Sequence, residues 1–125
     1  MGAARWVVTV VAVMTGTLAY VFDWNETHVY NPQWPPHAKF HNAQTLLLGS
    51  LLGVVTLYLL WGRGDLRAAV LVCSLYWVAQ LGSLAYPGTA LTDPEFREKL
   101  GRRAGMQPAL ASVLLLVLAA VWVMG

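Results

Sequence analysis

The sequence predicts an all-α integral membrane protein, a four-transmembrane-helix bundle forming a single domain over residues 1–125, and three observations predict it. The chain is 58% hydrophobic and 11% charged, whereas soluble domains carry about a quarter charged residues. Four apolar runs, 6–22, 43–61, 68–86 and 108–124, approach the ~20 residues that cross a hydrocarbon core about 30 Å thick. None of these runs holds an Asp, Glu, Lys, Arg or His, the side chains whose burial in lipid costs most.

The first run follows Arg5, an order shared with secretory signals. No A-x-A cleavage site stands near residues 20–24, which favours a retained helix. Ala12 and Gly16 form a small pair in this run, and Gly49 and Gly53 form a G-x-x-x-G in the second. Both predict close helix approach, within one chain or between copies, so a homo-oligomer stays open. Pro35 and Pro36 are placed to open the second helix, because a first turn tolerates the missing N–H. From such a start His37, His41 and Gln44 fall at i, i+4 and i+7, a polar stripe expected to point into the bundle with Phe40 and Ala43 on another side.

The third run carries Cys73, Tyr76, Gln80 and Ser83 at spacings of three and four, with Trp77 beside them. Polar groups at that depth face protein or a cavity, since lipid satisfies no hydrogen bonds. Between the third and fourth runs, T-D-P-E-F-R-E-K-L-G-R-R-A-G from Thr92 to Gly105 predicts a short interfacial helix. It would start at Thr92 or Asp93 with Pro94 in its first turn, stop at Gly101, and set Phe96 and Leu100 on one face. The last run, with only Ser112 and the Trp122 N–H polar, reads as a lipid-facing strut.

Four spans put the termini and the turn 62–67 on one face and the connections 23–42 and 87–107 on the other. Lys39, Arg97, Lys99, Arg102 and Arg103 on the long-loop face against Arg5, Arg63 and Arg67 on the terminal face tilt the long loops towards the cytoplasm. The lone Cys73 rules out an internal disulfide. A net charge of +2, scattered over the chain, argues against a nucleic-acid partner.

Chemically capable residues concentrate in D-W-N-E-T-H-V-Y-N-P-Q-W-P-P-H-A-K-F-H-N-A-Q, Asp23 to Gln44, which holds all three histidines. Its prolines, Pro32, Pro35 and Pro36, restrict the backbone and predict a structured loop. One chemistry this composition suits is acid–base catalysis on a lipophilic, terpenoid- or sterol-like molecule, an isomerisation or cyclisation needing no cofactor. Asp23 or Glu26, with proton affinity raised by desolvation, would donate; His37 or His41 would act as base or orienting partner, with His28 the remaining candidate catalytic residue. Trp24, Tyr30, Trp34, Tyr76 and Trp77 would face a developing cation, and Asn42, Gln44 and Gln80 would complete the substrate site. The partners implied are that lipophilic molecule and membrane lipid.

A second chemistry is metal-dependent: His37 and His41 chelate one ion, with Glu26, His28 or Asp23 completing its coordination, although the middle Glu of H-E-x-x-H is missing. A third reading is binding of a lipophilic ligand without turnover. The residues also have a purely structural reading, in which Asp23 ends the first helix, Trp24 and Trp34 anchor at the interface, and the histidines are hydrogen-bonded fasteners.

The strings D-W-N-E-T-H at 23–28 and W-P-P-H-A-K-F-H at 34–41 resemble a group of small four-span membrane proteins of bacteria and fungi. In span pattern the chain also resembles the four-helix unit of the emopamil-binding protein family, whose sterol isomerases and lipid-binding receptors place acids and a histidine in a membrane cavity. That resemblance implies a lipophilic substrate and assigns no individual residue. The glutathione-using trimeric membrane proteins of eicosanoid metabolism are a further comparison, with R-x-H-x-N-x-x-E opening their second helix. Here A-K-F-H-N-A-Q-T sets His41 and Asn42 side by side and lacks the Glu, which removes the residues that would support glutathione.

Overall fold

The computed structural model describes residues 2–125, and every regular element among them is helical. Helix α1 spans Gly2–Asp23, α2 Pro36–Leu57, α3 Leu66–Gly82, α4 Arg97–Ala104 and α5 Met106–Met124. A π-helical turn, Tyr58–Gly62, prolongs α2, and 3₁₀ turns at Ser83–Ala85 and Pro94–Phe96 follow α3 and precede α4. The continuous stretches Gly2–Asp23, Pro36–Gly62, Leu66–Ala85 and Pro94–Met124 are long and apolar enough to cross a membrane.

Most hydroxyls of the apolar helices bond back to the carbonyl one turn earlier. Thr9, Thr15 and Thr17 in α1 donate to the carbonyls of Arg5, Val11 and Val13 at 2.7–2.8 Å. Thr56, Ser74 and Ser112 do the same in α2, α3 and α5.

Helix α2 starts at Pro36, as the two prolines predict, and carries the polar residues before 43 in its first turns. The end of α4 differs from expectation. Helix α4 runs through Gly101 to Ala104. One interior glycine costs about 1 kcal/mol, and the flanking Arg, Glu and Lys are good helix formers.

Helix α1 packs along α2, α3 packs on both, and α5 lies chiefly against α3 with light contact to α1. The two small-residue pairs meet each other within the chain. A Cβ at Gly53 would sit 2.8 Å from the Ala12 carbonyl oxygen, and one at Gly49 2.9 Å from that of Thr15. Ser50 adds an O–H donated to the Gly16 carbonyl at 2.9 Å. Val8, Val11, Leu60, Ala69 and Leu118 fill the core, while large apolar side chains such as Leu47, Val54, Leu75 and Leu116 point outward.

Deep among the helices sits a closed polar knot. The Trp77 indole N–H donates to Thr15 Oγ1 at 2.9 Å, and Cys73 Sγ lies 3.7 Å from the same oxygen. At the terminal face, Gly64 turns the chain at φ +69° and Asp65 caps α3 by accepting the Ala68 N–H at 2.9 Å. Arg5 stacks over Trp61 and Arg67 over Trp122, each 5.4 Å from the ring centre, the cation–aromatic pairing suited to a membrane interface.

Candidate functional site

The opposite end carries both long connections, and two contacts tie them together. Trp34 donates its indole N–H to Asp93 Oδ2 at 3.2 Å, and Lys99 donates to Glu26 Oε1 at 3.1 Å. Beneath them, Asp23 ends α1 with its side chain 15% exposed. Its Oδ2 accepts from Asn42 Nδ2 at 2.9 Å, a bond that joins α1 to the start of α2. Its Oδ1 stands 3.6 Å from His28 Nδ1, beyond hydrogen-bond length but within ion-pair range.

The chain reaches His28 through tight turns built on asparagine. Asn25 Oδ1 accepts the Thr27 backbone N–H at 2.9 Å, the side-chain turn that asparagine favours. Asn31, only 1% exposed, repeats this by accepting the Gln33 N–H at 2.9 Å and donates to the Thr27 carbonyl at 3.2 Å.

These bonds fix a tautomer. Asn25 Nδ2 donates to the Phe22 carbonyl at 2.8 Å, so its Oδ1 faces Thr27. The Thr27 hydroxyl spends its single proton on that oxygen. Thr27 Oγ1, 2.7 Å from His28 Nδ1, therefore accepts, and Nδ1 carries the proton. Nε2 is then the nitrogen of the neutral ring that carries the lone pair. The ring lies edge-on to Trp34, centroids 5.0 Å apart.

The remaining expected residues fall into other groups. Glu26, 59% exposed, pairs with Lys99 at the surface. Its own backbone N–H, and after it the hydrogen bond and charge of Lys99, hold its carboxyl below the ordinary glutamate value. Desolvation was expected to raise its proton affinity; at this exposed position the ion pair acts in the other direction. The stripe of His37, His41 and Gln44 is exposed and faces outward rather than into the helix assembly. Helix phase gives the inward position to Asn42, whose Oδ1 is buried without a partner. His37 and His41 face each other, Nε2 to Nε2 at 3.1 Å, and Gln44 Oε1 lies 3.3 Å from His41 Nδ1.

Trp24 donates to the Tyr30 hydroxyl at 3.1 Å on the exposed side of the loop. Tyr76 and Gln80 are half-buried, Tyr76 against Gly49. Trp77 is 2% exposed, with its N–H already taken by Thr15. The two best-formed depressions lie away from Tyr76 and Gln80. One of about 380 Å³ opens at the terminal face beside Ala3, Leu66 and Val121, and a shallower one of about 280 Å³ beside Phe40 and Leu47. Glu26, His28, His37 and His41 do not gather, and among the described residues no three His, Cys, Asp or Glu side chains form a metal-ligand group.

Four contributors were not singled out in the sequence: Asn25, Thr27, Asn31 and Asp93. The first three had a readable signal, because asparagine two residues before Thr27 or Gln33 is an Asx-turn pattern. Asp93 had none, since its contact with Trp34 bridges a separation of 59 residues.

Residues 7–120 match the family described as "Family of unknown function (DUF6640)", and the chain belongs to it. No curated protein and no solved structure matches the chain.

Proposed function

For this DUF6640 member we propose a membrane-embedded acid–base enzyme of isomerase or cyclase type, acting on a lipophilic terpenoid- or sterol-like molecule drawn from the bilayer. In this reading the four apolar helices form a transmembrane bundle with both long connections on the cytoplasmic side, where Lys39 and the basic residues of α4 gather. The observation that carries it is the chain Asn25–Thr27–His28–Asp23, which commits Nδ1 of His28 as a donor and leaves Nε2 to exchange protons.

The chemistry balances with one group. Imidazolium Nε2 gives its proton to one carbon of an alkene, forming a carbocation; the neutral ring then removes a proton from a neighbouring carbon, so the double bond moves and His28 returns to its starting state. Asp23 positions the ring and offsets its charge. Trp34 packs edge to face with the His28 ring, centroids 5.0 Å apart, and would put aromatic surface beside a cation formed at that ring. The span-pattern resemblance to the emopamil-binding proteins supports the substrate class alone.

The test is product analysis by mass spectrometry after incubating purified protein with membrane lipid extracts in deuterated water. Wild-type protein is expected to yield an isomer carrying deuterium. His28→Ala is expected to lose about 10²–10⁴-fold in rate, the usual contribution of a positioned acid–base. An unchanged rate in His28→Ala would remove His28 from the chemistry, and saturable binding with no product would leave a lipid-binding protein in place of an enzyme.

A further inference from the structure

We propose that His37 and His41 form a two-imidazole chelate for a divalent transition-metal ion of the zinc, nickel or copper class, on the outward face of the first turns of α2. The inference goes beyond the acid–base reading, because these exposed residues lie off the side of α2 where Asn42 meets Asp23.

The argument begins with spacing. Histidines at i and i+4 stand one above the other on a helix, and Pro35 and Pro36 fix where this helix starts. The rings meet edge to face with centroids 4.6 Å apart and Nε2 atoms 3.1 Å apart. Metal–nitrogen bonds of about 2.0–2.1 Å at a tetrahedral angle set two ligating nitrogens about 3.3 Å apart. The pair therefore stands within a few tenths of an ångström of a chelate's bite before any ion arrives.

Gln44 supplies an independent observation. Its Oε1 lies 3.3 Å from His41 Nδ1, and an amide oxygen only accepts. Nδ1 thus holds the proton and Nε2 keeps its lone pair on the side facing His37. A metal-bound histidine usually has its other N–H given to a carbonyl or carboxylate in this way, which fixes both tautomer and ring direction. In the metal-free pair His37 Nε2 must be the donor to His41. Binding asks only that His37 move that proton to its own Nδ1, an inexpensive shift for an exposed ring. Phe40, parallel to the His37 ring within 10° at 6.0 Å, braces the other side. Two protein ligands leave the remaining positions to water or another small donor, so the ion should exchange readily.

The experiment uses the full chain in detergent, its purification tag removed and metals stripped, titrated with Cu²⁺, Ni²⁺ or Zn²⁺ alone. Calorimetry is expected to give one ion per chain, and the Cu²⁺ spin-resonance spectrum is expected to show coupling to two imidazole nitrogens. His37→Ala and His41→Ala should each weaken binding at least tenfold, and Gln44→Leu about tenfold, as for other supporting partners of metal ligands. His28→Ala should bind as the parent does. Circular dichroism checks that these exposed substitutions leave the helices intact. Absence of saturable binding, coupling to a single nitrogen, or loss of binding in His28→Ala equal to that in His37→Ala would each overturn the proposal.

Discussion

Midway along the helices, Thr15 accepts from Trp77, donates to the Val11 carbonyl and lies against Cys73, so every polar atom of that knot has its partner. At the long-loop end, Asp23, His28 and Asn42 are hydrogen-bonded as well, yet Asn42 Oδ1 is left buried without a protein partner. Both clusters are polar islands in an apolar chain. Completeness of bonding separates them: the knot has a closed set of partners, whereas the loop-end cluster leaves one buried acceptor without a protein partner. Burial does not separate them, because Thr15 in the knot and Asn31 in the loop are each 1% exposed.

Four substitutions put that contrast at risk. The largest effect is expected at the closed knot. Thr15→Val strands the Trp77 N–H away from water and should cost about 1–3 kcal/mol in reversible unfolding in detergent. Adding Trp77→Phe removes the stranded donor and should recover part of the loss, since deleting both partners of a hydrogen bond costs less than deleting one. Equal losses in the single and double variants would mean that the knot acts through shape alone.

At the open cluster the expected response is functional. Asn42→Ala should lower turnover of the lipophilic substrate about tenfold, the ~1.4 kcal/mol of one net hydrogen bond, with a smaller change in melting temperature than Thr15→Val produces. A stability loss with intact turnover would move Asn42 into the structural class. The smallest effect is at the rim. Lys99→Ala should raise the Glu26 pKa back towards the ordinary glutamate value of 4.5, read by carbon-detected NMR titration. The sign follows from the depressed folded value: the pairing is fully present above the unfolded pKa and is lost as pH falls through the folded one. Exposed on both sides, the pair should leave the melting temperature nearly unchanged.

The four apolar helices were legible because composition and run length report solvent directly, and a bilayer admits few alternatives to helices. The loop-end cluster of Asp23, His28 and Asn42 falls inside Asp23 to Gln44, the stretch the sequence singled out. The division within that stretch was not legible. The stripe His37–His41–Gln44 was read correctly as a stripe, but a spacing fixes which residues share a face and leaves open which way that face turns. Asn42, one position further along α2, took the inward place. The choice of His28 over His37 and His41 as partner of Asp23 depended on Thr27 and Asn25, whose bonds come from turn geometry rather than from any periodicity. The small pairs at Ala12–Gly16 and Gly49–Gly53 announce close contact without naming partners; in the folded chain they pack on each other.

That mutual packing bears on the order of assembly. The glycines of α2 find their complement in the helix made just before them, and α5 leans mainly on α3. Most of the interface thus joins neighbours in the chain, a low-contact-order arrangement in which little loop entropy is spent before contacts form. The tightest seam, Gly53 on Ala12 and Gly49 on Thr15, and the Asp23–Asn42 hydrogen bond all lie within the α1–α2 hairpin. That hairpin therefore carries the α1–α2 part of the loop-end cluster on contacts of its own, with α3 packed on both of its helices.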